Sequence, residues 1–183
     1  MPLKAFIVAG NAAVEAAEVR RLLAAHGIVE VSDPASADVV LALGDDRAVL
    51  DAVRLVGEGE APILGVSTGG AGYLTSVSAD ELGAALEAFQ RGEYEEEEYV
   101  KLKGIVDGSV TLYALNEIAV FPSRSATLMS YELLVDGEFV WFDRADGVLV
   151  ATPLGSTAYA LSAGGAVVFE GARVLEVVPV NSV

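Results

Sequence analysis

VVLALGDDRAVLDAVRLV, residues 39–56, is the stretch whose reading decides the fold class. Val39 to Leu43 is an unbroken apolar run without the alternation of a half-exposed strand, so it reads as a strand covered on both faces, as in a parallel sheet. Gly44-Asp45-Asp46 then turns the chain into a helix whose apolar positions are Val49, Leu50, Val53 and Leu55. A buried strand passing through a tight turn into an amphipathic helix is half of a strand–helix–strand unit.

The same grammar extends in both directions. Upstream, residues 3–9 form a short apolar strand and Asn11 is placed to cap a helix carrying Val14, Val19, Leu22 and Leu23, which Gly27 stops. Residues 28–31 read as the next strand. Downstream, a strand at 63–66 runs into Ser67-Thr68-Gly69-Gly70-Ala71-Gly72, where closely spaced glycines let the backbone approach a ligand. Ser78 and Glu81 make a capping-box pattern ahead of a helix over 82–89, closed by Gly92. Residues 1–92 are therefore expected to be a Rossmann-like parallel α/β domain.

From about Tyr94 the pattern changes to alternating runs joined by Asp107-Gly108 and Asp136-Gly137. Asp-Gly between alternating strands signals a type I′ hairpin, whose two central residues both need positive φ. The run Glu95 to Glu98 reads as a solvated or edge-protecting segment. Residues 93–183 are expected to form a β-rich domain of sandwich type, and no tandem repeat is present.

Composition limits the function classes. The chain has 183 residues, no cysteine, 53% hydrophobic residues, and 27 acidic against 11 basic side chains, for a formal net charge of −16. That charge opposes nucleic-acid binding, which rests on Lys and Arg displacing phosphate counterions. A low-Lys, Ala-rich, carboxylate-dense chain resembles the proteins of salt-loving organisms, where salt screens the self-repulsion. Without cysteine there is neither a disulfide nor a thiolate metal site. No apolar run approaches the length of a membrane helix and the N-terminus lacks a signal-peptide pattern, so the expectation is a cytoplasmic protein with no membrane partner. His26, the single histidine, sits at a helix end before Gly27 and is not a catalytic candidate.

Loops at the carboxyl ends of parallel strands collect functional groups. Here they are Gly44-Asp45-Asp46-Arg47 and the glycine loop at 67–72. In the second half, DGVLVATPLGSTAYALSAGG, residues 146–165, runs from a strand into a segment dense in hydroxyls and glycines around Tyr159. Such a composition suits a polar heterocycle held by hydrogen bonds and stacking.

That segment resembles the signature of the NAD kinase family. In the same order, residues 43–52 resemble its Gly-Gly-Asp-Gly loop and following helix, ILGVSTGGAGYLT its second glycine loop, and Ala114-Leu115-Asn116-Glu117-Ile118 its Asn-Glu strand motif. The resemblance implies an α/β domain followed by a β-sandwich. It also implies ATP-dependent phosphorylation of the 2′-hydroxyl of the adenosine ribose of NAD, with Mg2+ on the phosphates. By the same resemblance Asp46, in the loop opened by Gly44, is the base or orienting group for that hydroxyl. Asn116 and Glu117 contact adenine and ribose; Thr157, Ala158, Tyr159 and Ser162 line the dinucleotide pocket; Asp146 lies near the nicotinamide amide; and Tyr73 takes the aromatic position after the second glycine loop. No residue set marks a metal site.

Two departures bear on mechanism. The loop has Asp45 and Arg47 where the family has glycines, and Ala48 where a threonine is common. A carboxylate about 4 Å from a phosphate charge is repelled by roughly 4 kcal/mol at a surface-like dielectric. Arg47 is expected to offset this by pairing with Asp45 or reaching a phosphate; the other reading of the altered loop is a relative that binds NAD or NADP without phosphorylating it. A lipid or sugar kinase with the same loop logic is a third class, which the adenosine-type string disfavours. Family members also continue for several more strands beyond the point where this chain stops, so the β-rich half is expected to be incomplete alone and to self-associate into a homo-oligomer.

Overall fold

A computed structural model of the chain describes every residue except Asn11 and Ala71. The chain divides into two compact units, Met1–Glu97 and Glu98–Val183.

The first unit runs β1 (Lys4–Val8), α1 (Ala13–Ala25), β2 (Val29–Glu30), β3 (Val39–Gly44), α2 (Asp46–Val56), β4 (Ile63–Ser67), β5 (Val77–Ser78) and α3 (Leu82–Arg91). Its strands form one parallel sheet in the order β2-β1-β3-β4-β5. The unbroken apolar run of β3 has the expected cause. Val39, Leu41 and Leu43 face one way and pack with Ala16, Val19 and Leu23 of α1 and Leu82 and Leu86 of α3. Val40 and Ala42 face the other way, against Ala48, Val49 and Ala52 of α2. Successive strand residues point to opposite faces, so helices on both sides of the sheet require apolar residues at every position.

Helix α2 starts with Asp45 as its N-cap, whose carboxylate accepts the Arg47 amide at 3.0 Å, and ends at Gly57. Leu55, expected on its apolar face, is exposed; Ala48, Val49, Ala52 and Val53 make the buried stripe and Leu55 falls off it. The capping box forms as expected, with the Glu81 carboxylate accepting from the Ser78 amide at 3.0 Å and hydroxyl at 2.7 Å. The expected Asn11 cap lies outside the described residues, as does the side chain of Val14.

The second unit is antiparallel. It contains β6 (Leu102–Val106), β7 (Val110–Ala114), β8 (Glu117–Val120), β9 (Met129–Val135), β10 (Glu138–Ala145), β11 (Gly147–Ala151), a 3-10 turn (Leu154–Thr157), α4 (Tyr159–Ser162) and β12 (Glu176–Val180). The strands form sheets β6-β7, β10-β9 and β12-β11-β8. Both Asp-Gly hairpins have left-handed φ at both central residues: Asp107 +50° with Gly108 +66°, and Asp136 +53° with Gly137 +84°. The Glu95 to Glu98 run is exposed and lies outside any strand.

Candidate functional site

The order β2-β1-β3-β4-β5 reverses direction between β1 and β3. Their following connections leave on opposite sides of the sheet, and a crevice opens beyond their carboxyl ends. A cleft of about 920 Å³ lies at this switch point, lined by Ala9, Gly10, Ala12 and Glu15 after β1, residues 43–48 and Asp51 after β3, and Thr68, Gly69, Gly70 and Gly72 after β4. Its titratable groups are Glu15, Asp45, Asp46 and Asp51 against Arg47; the positive end of the α2 dipole also points here.

The two glycine loops are tied together by Asp46. One carboxylate oxygen accepts the Tyr73 amide at 3.0 Å and the other accepts the Leu74 amide at 2.7 Å. The approach is close: a Cβ on Gly72 would stand 2.3 Å from Asp46 Oδ1 and 2.9 Å from Thr75 Oγ1, so a larger residue would displace these side chains. The Gly72 amide donates to Thr75 Oγ1 at 3.1 Å, the Ser67 hydroxyl donates to the Gly70 carbonyl, and the Thr68 amide donates to the Gly44 carbonyl at 3.3 Å. Asp46 keeps acceptor capacity, since an ionised carboxylate offers about four lone-pair sites and, among the described residues, the Tyr73 and Leu74 amides take two. Tyr73 is 71% exposed. The expected ion pair between Arg47 and Asp45 does not form among the described residues. Asp45 engages the Arg47 backbone amide instead, because an N-cap carboxylate folds over the first turn of its own helix.

In the second unit the signature segment leaves β11 at Thr152. Thr152 and Ser156 are fully buried and act as internal fasteners. The Thr152 hydroxyl donates to the Leu115 carbonyl and accepts the Gly155 amide at 3.0 Å, while its own amide donates to the Asn116 carbonyl at 2.8 Å. The Ser156 hydroxyl donates to the Pro153 carbonyl at 2.6 Å and accepts the Val168 amide at 2.9 Å. Gly155 lies directly on the Asn116 backbone. With the register Ala151↔Glu117, this packs the turn at Gly155, just ahead of Thr157, on the bend at Asn116 next to Glu117.

Asn116 lies in the bend before β8 and only Glu117 is in the strand, which is how its backbone is free to receive the turn. One Glu117 carboxylate oxygen is buried without a hydrogen-bond partner, and burial raises its pKa above the ordinary carboxylate value. The Thr157 hydroxyl donates to the Leu154 carbonyl at 3.2 Å. Tyr159 is 43% exposed, so it is not a core residue, and its ring stacks on Phe121 with centroids 6.3 Å apart and planes inclined by 12°.

Asp146 lies at the opposite end of β11 from Glu117, next to Gly147, against which the Phe121 ring that stacks with Tyr159 is packed. It precedes β11, with Glu117 paired to that strand's last residue, roughly 17 Å away at 3.3–3.4 Å per residue. Its carboxylate accepts the Asn181 side-chain amide at 2.9 Å. Phe121, Thr75 and Asn181 went unnoticed in the sequence, as ordinary strand and loop residues with no local signal. Glu176, also missed, had one: an acid at an inward position of an apolar strand.

Residues 12–94 match the ATP-NAD kinase N-terminal domain and residues 115–183 the ATP-NAD kinase C-terminal domain. The chain belongs to the NAD kinase family. It is 44% identical over 147 residues to the NAD kinase of Methanopyrus kandleri, an alignment covering 79% of this chain and 52% of that protein. It is 36% identical to the NAD kinase of Marinobacter nauticus over 97% of this chain and 63% of that one. The chain thus spans between half and two thirds of the length of these NAD kinases. Among solved structures, that of an Archaeoglobus fulgidus NAD kinase in complex with ATP superposes with a TM-score of 0.76 at 26% identity, covering 100% of this chain and 73% of that one. Yeast NADH kinase complexed with NADH superposes at 0.81 over 99% of this chain and 66% of that one; at 21% identity it bears on the fold alone. The parallel α/β unit followed by a β-rich unit is the NAD kinase arrangement expected from the motifs.

Proposed function

We propose that the chain acts as an NAD kinase, transferring the γ-phosphoryl group of ATP to the 2′-hydroxyl of the adenosine ribose of NAD to give NADP. The observation that carries this reading is the docking of Gly155 on Asn116. It sets the turn that leads to Thr157 and the half-exposed Tyr159 against the bend that carries Asn116 and, next to it, Glu117 with its unpartnered carboxylate oxygen. Asn116 can both donate to and accept from a purine edge. Glu117 Oε2 lacks a donor, which a ribose hydroxyl would supply. Tyr159, braced by Phe121, offers a stacking face, and Thr157, Ala158 and Ser162 complete the wall. Gly44 and Tyr73 belong to the two glycine loops that Asp46 joins, and Asp46 orients the hydroxyl through its remaining lone pairs for in-line attack on phosphorus. Asp146 contributes near the nicotinamide end.

Mg2+ supplies charge neutralisation on the transferring phosphates. Among the described residues no group of three His, Cys, Asp or Glu is arranged to hold an ion. The Archaeoglobus fulgidus NAD kinase in complex with ATP supports ATP as donor.

The β-rich unit also carries exposed apolar residues on β9 and β10, Leu134, Phe139 and Phe142 among them, which supports self-association through that half. Among the described residues no helix is long and apolar enough to cross a membrane. We assign the protein to the cytoplasm.

The test is NADP formation from NAD, ATP and Mg2+, assayed across salt concentrations. Tyr159→Ala should raise KM for NAD with a smaller effect on kcat. Dinucleotide binding without turnover in any salt would instead support the non-catalytic reading.

A further inference from the structure

Glu176 occupies an inward position. The pairing Ala151↔Glu176 and Leu149↔Val178 places it on the same face of β12 as Val178, which is 5% exposed and packed with Leu149, Ala151 and Ala160. Residues two apart on a strand share a face, so the pattern calls for a valine or isoleucine here. A carboxylate at the margin of a core is costly unless its oxygens find donors. One does: Glu176 Oε1 accepts the Ala166 amide at 2.6 Å, a short charge-assisted bond. The other, Oε2, is buried with no partner.

The segment held this way closes the carboxyl end of α4. The Gly165 amide donates to the Ala160 carbonyl at 2.9 Å, and the Ala163 and Gly164 amides return to Tyr159, Ala160 and Leu161 carbonyls. A Cβ on Gly165 would stand 2.8 Å from Glu176 Oε1 and 2.9 Å from the Ala160 carbonyl oxygen, so chain, helix end and carboxylate meet with no space to spare. Helix α4 is a single turn of four residues, far below the length at which a helix holds itself in water. Its orientation depends on what grips its ends. Thr152 and Ser156 grip the chain before it; Glu176 grips the chain after it.

We infer that Glu176 is a positioning residue for the dinucleotide surface, anchoring Gly165 and Ala166 to β12 so that Tyr159 and Ser162 on α4 are held ready for ligand. The assignment rests on the reading of α4 as a dinucleotide wall, but the anchoring itself is measurable without ligand. The experiment compares Glu176→Ala, Glu176→Asp and Glu176→Gln by backbone amide exchange of the free protein and by KM and kcat for NAD. Gln retains an oxygen in place for the Ala166 amide; Asp keeps the charge but withdraws it by one methylene. Ala and Asp should speed exchange at residues 163–166 by about tenfold or more, the scale of one charged hydrogen bond, and raise KM for NAD by a similar factor with kcat within about twofold. Gln, which keeps an acceptor but not the charge, should lose clearly less than Asp in both. Unchanged exchange in Glu176→Ala and Glu176→Asp, or equal losses in Gln and Asp, would overturn the inference. If Glu176→Ala does not fold, the Asp and Gln pair decides. A parent protein that neither binds nor phosphorylates NAD would sink the proposed function, while exchange at 163–166 would still decide whether Glu176 is the anchor.

Discussion

Gly155→Ala is expected to be the most damaging one-carbon change in the second unit. A Cβ there would lie 2.0 Å from the Asn116 carbonyl oxygen, 2.4 Å from its carbon and 2.6 Å from its Cα. Ordinary contact needs roughly 3.5 Å, so two backbone segments must separate by more than an ångström. None of the three clashing atoms is the end of a flexible side chain. Separation also strains the Thr152 amide bond to the Asn116 carbonyl and the Gly155 amide bond to the buried Thr152 hydroxyl. Overpacking costs about 1–3 kcal/mol and each buried bond about 1 kcal/mol more, giving a loss of about 3–5 kcal/mol. Urea unfolding would measure it. Gly69→Ala, where an added Cβ meets nothing within 4 Å, is the control and should change stability by less than about 0.5 kcal/mol. A Gly155→Ala protein as stable as that control would refute the role assigned to this contact. A folded but weakened protein should also lose dinucleotide affinity, because Asn116 and Glu117 move with the displaced backbone.

Asp46→Ala removes both acceptors for the Tyr73 and Leu74 amides; at about 2 kcal/mol the second glycine loop should exchange roughly 30-fold faster at those amides, and unchanged exchange would show that the bridge does not hold the loop. Burial raises the Glu117 pKa in the folded state, so its stabilising contribution is complete below the unfolded pKa and is lost as pH rises through the folded value. Glu117→Gln should therefore gain stability over the parent at neutral pH, with the gain shrinking towards pH 4; a pH-independent difference in urea unfolding would contradict this. With a formal charge of −16, raising NaCl from 0.05 to 1 M should raise Tm, since the ion pairs Arg20–Glu30, Arg54–Asp51, Arg91–Glu87 and Arg91–Glu93 are exposed and lose little. A flat or falling Tm would show that self-repulsion is not what limits stability.

The parts of the fold that were legible in advance are those governed by local periodicity and turn chemistry. Val39 to Leu43 could be assigned to a strand covered on both faces from five residues, and Asp107-Gly108 and Asp136-Gly137 to hairpins from two each. The backbone requirement at each place is local: no polar position on either face, or positive φ at consecutive residues. Leu55 shows the limit of the same reasoning, since helical spacing names a set of apolar positions but not which of them the sheet will cover.

The sequence by itself determined the alternation of strand and helix, the hairpins, and the identity of the family, because periodicity, turn residues and motifs are written in neighbouring positions. Tertiary structure alone decided what those motif residues do to one another. Asp46 bridges to amides 27 and 28 residues away, Gly155 is a glycine because Asn116 lies against it, and Glu176 reaches Ala166 across a turn. Asp146 and Glu117, members of the same expected site, end up at opposite ends of β11. The physical reason is common to all four. Which distant backbone group meets a side chain depends on strand order and register, and these are set by how whole faces bury together, not by the residues on either side of the one in question.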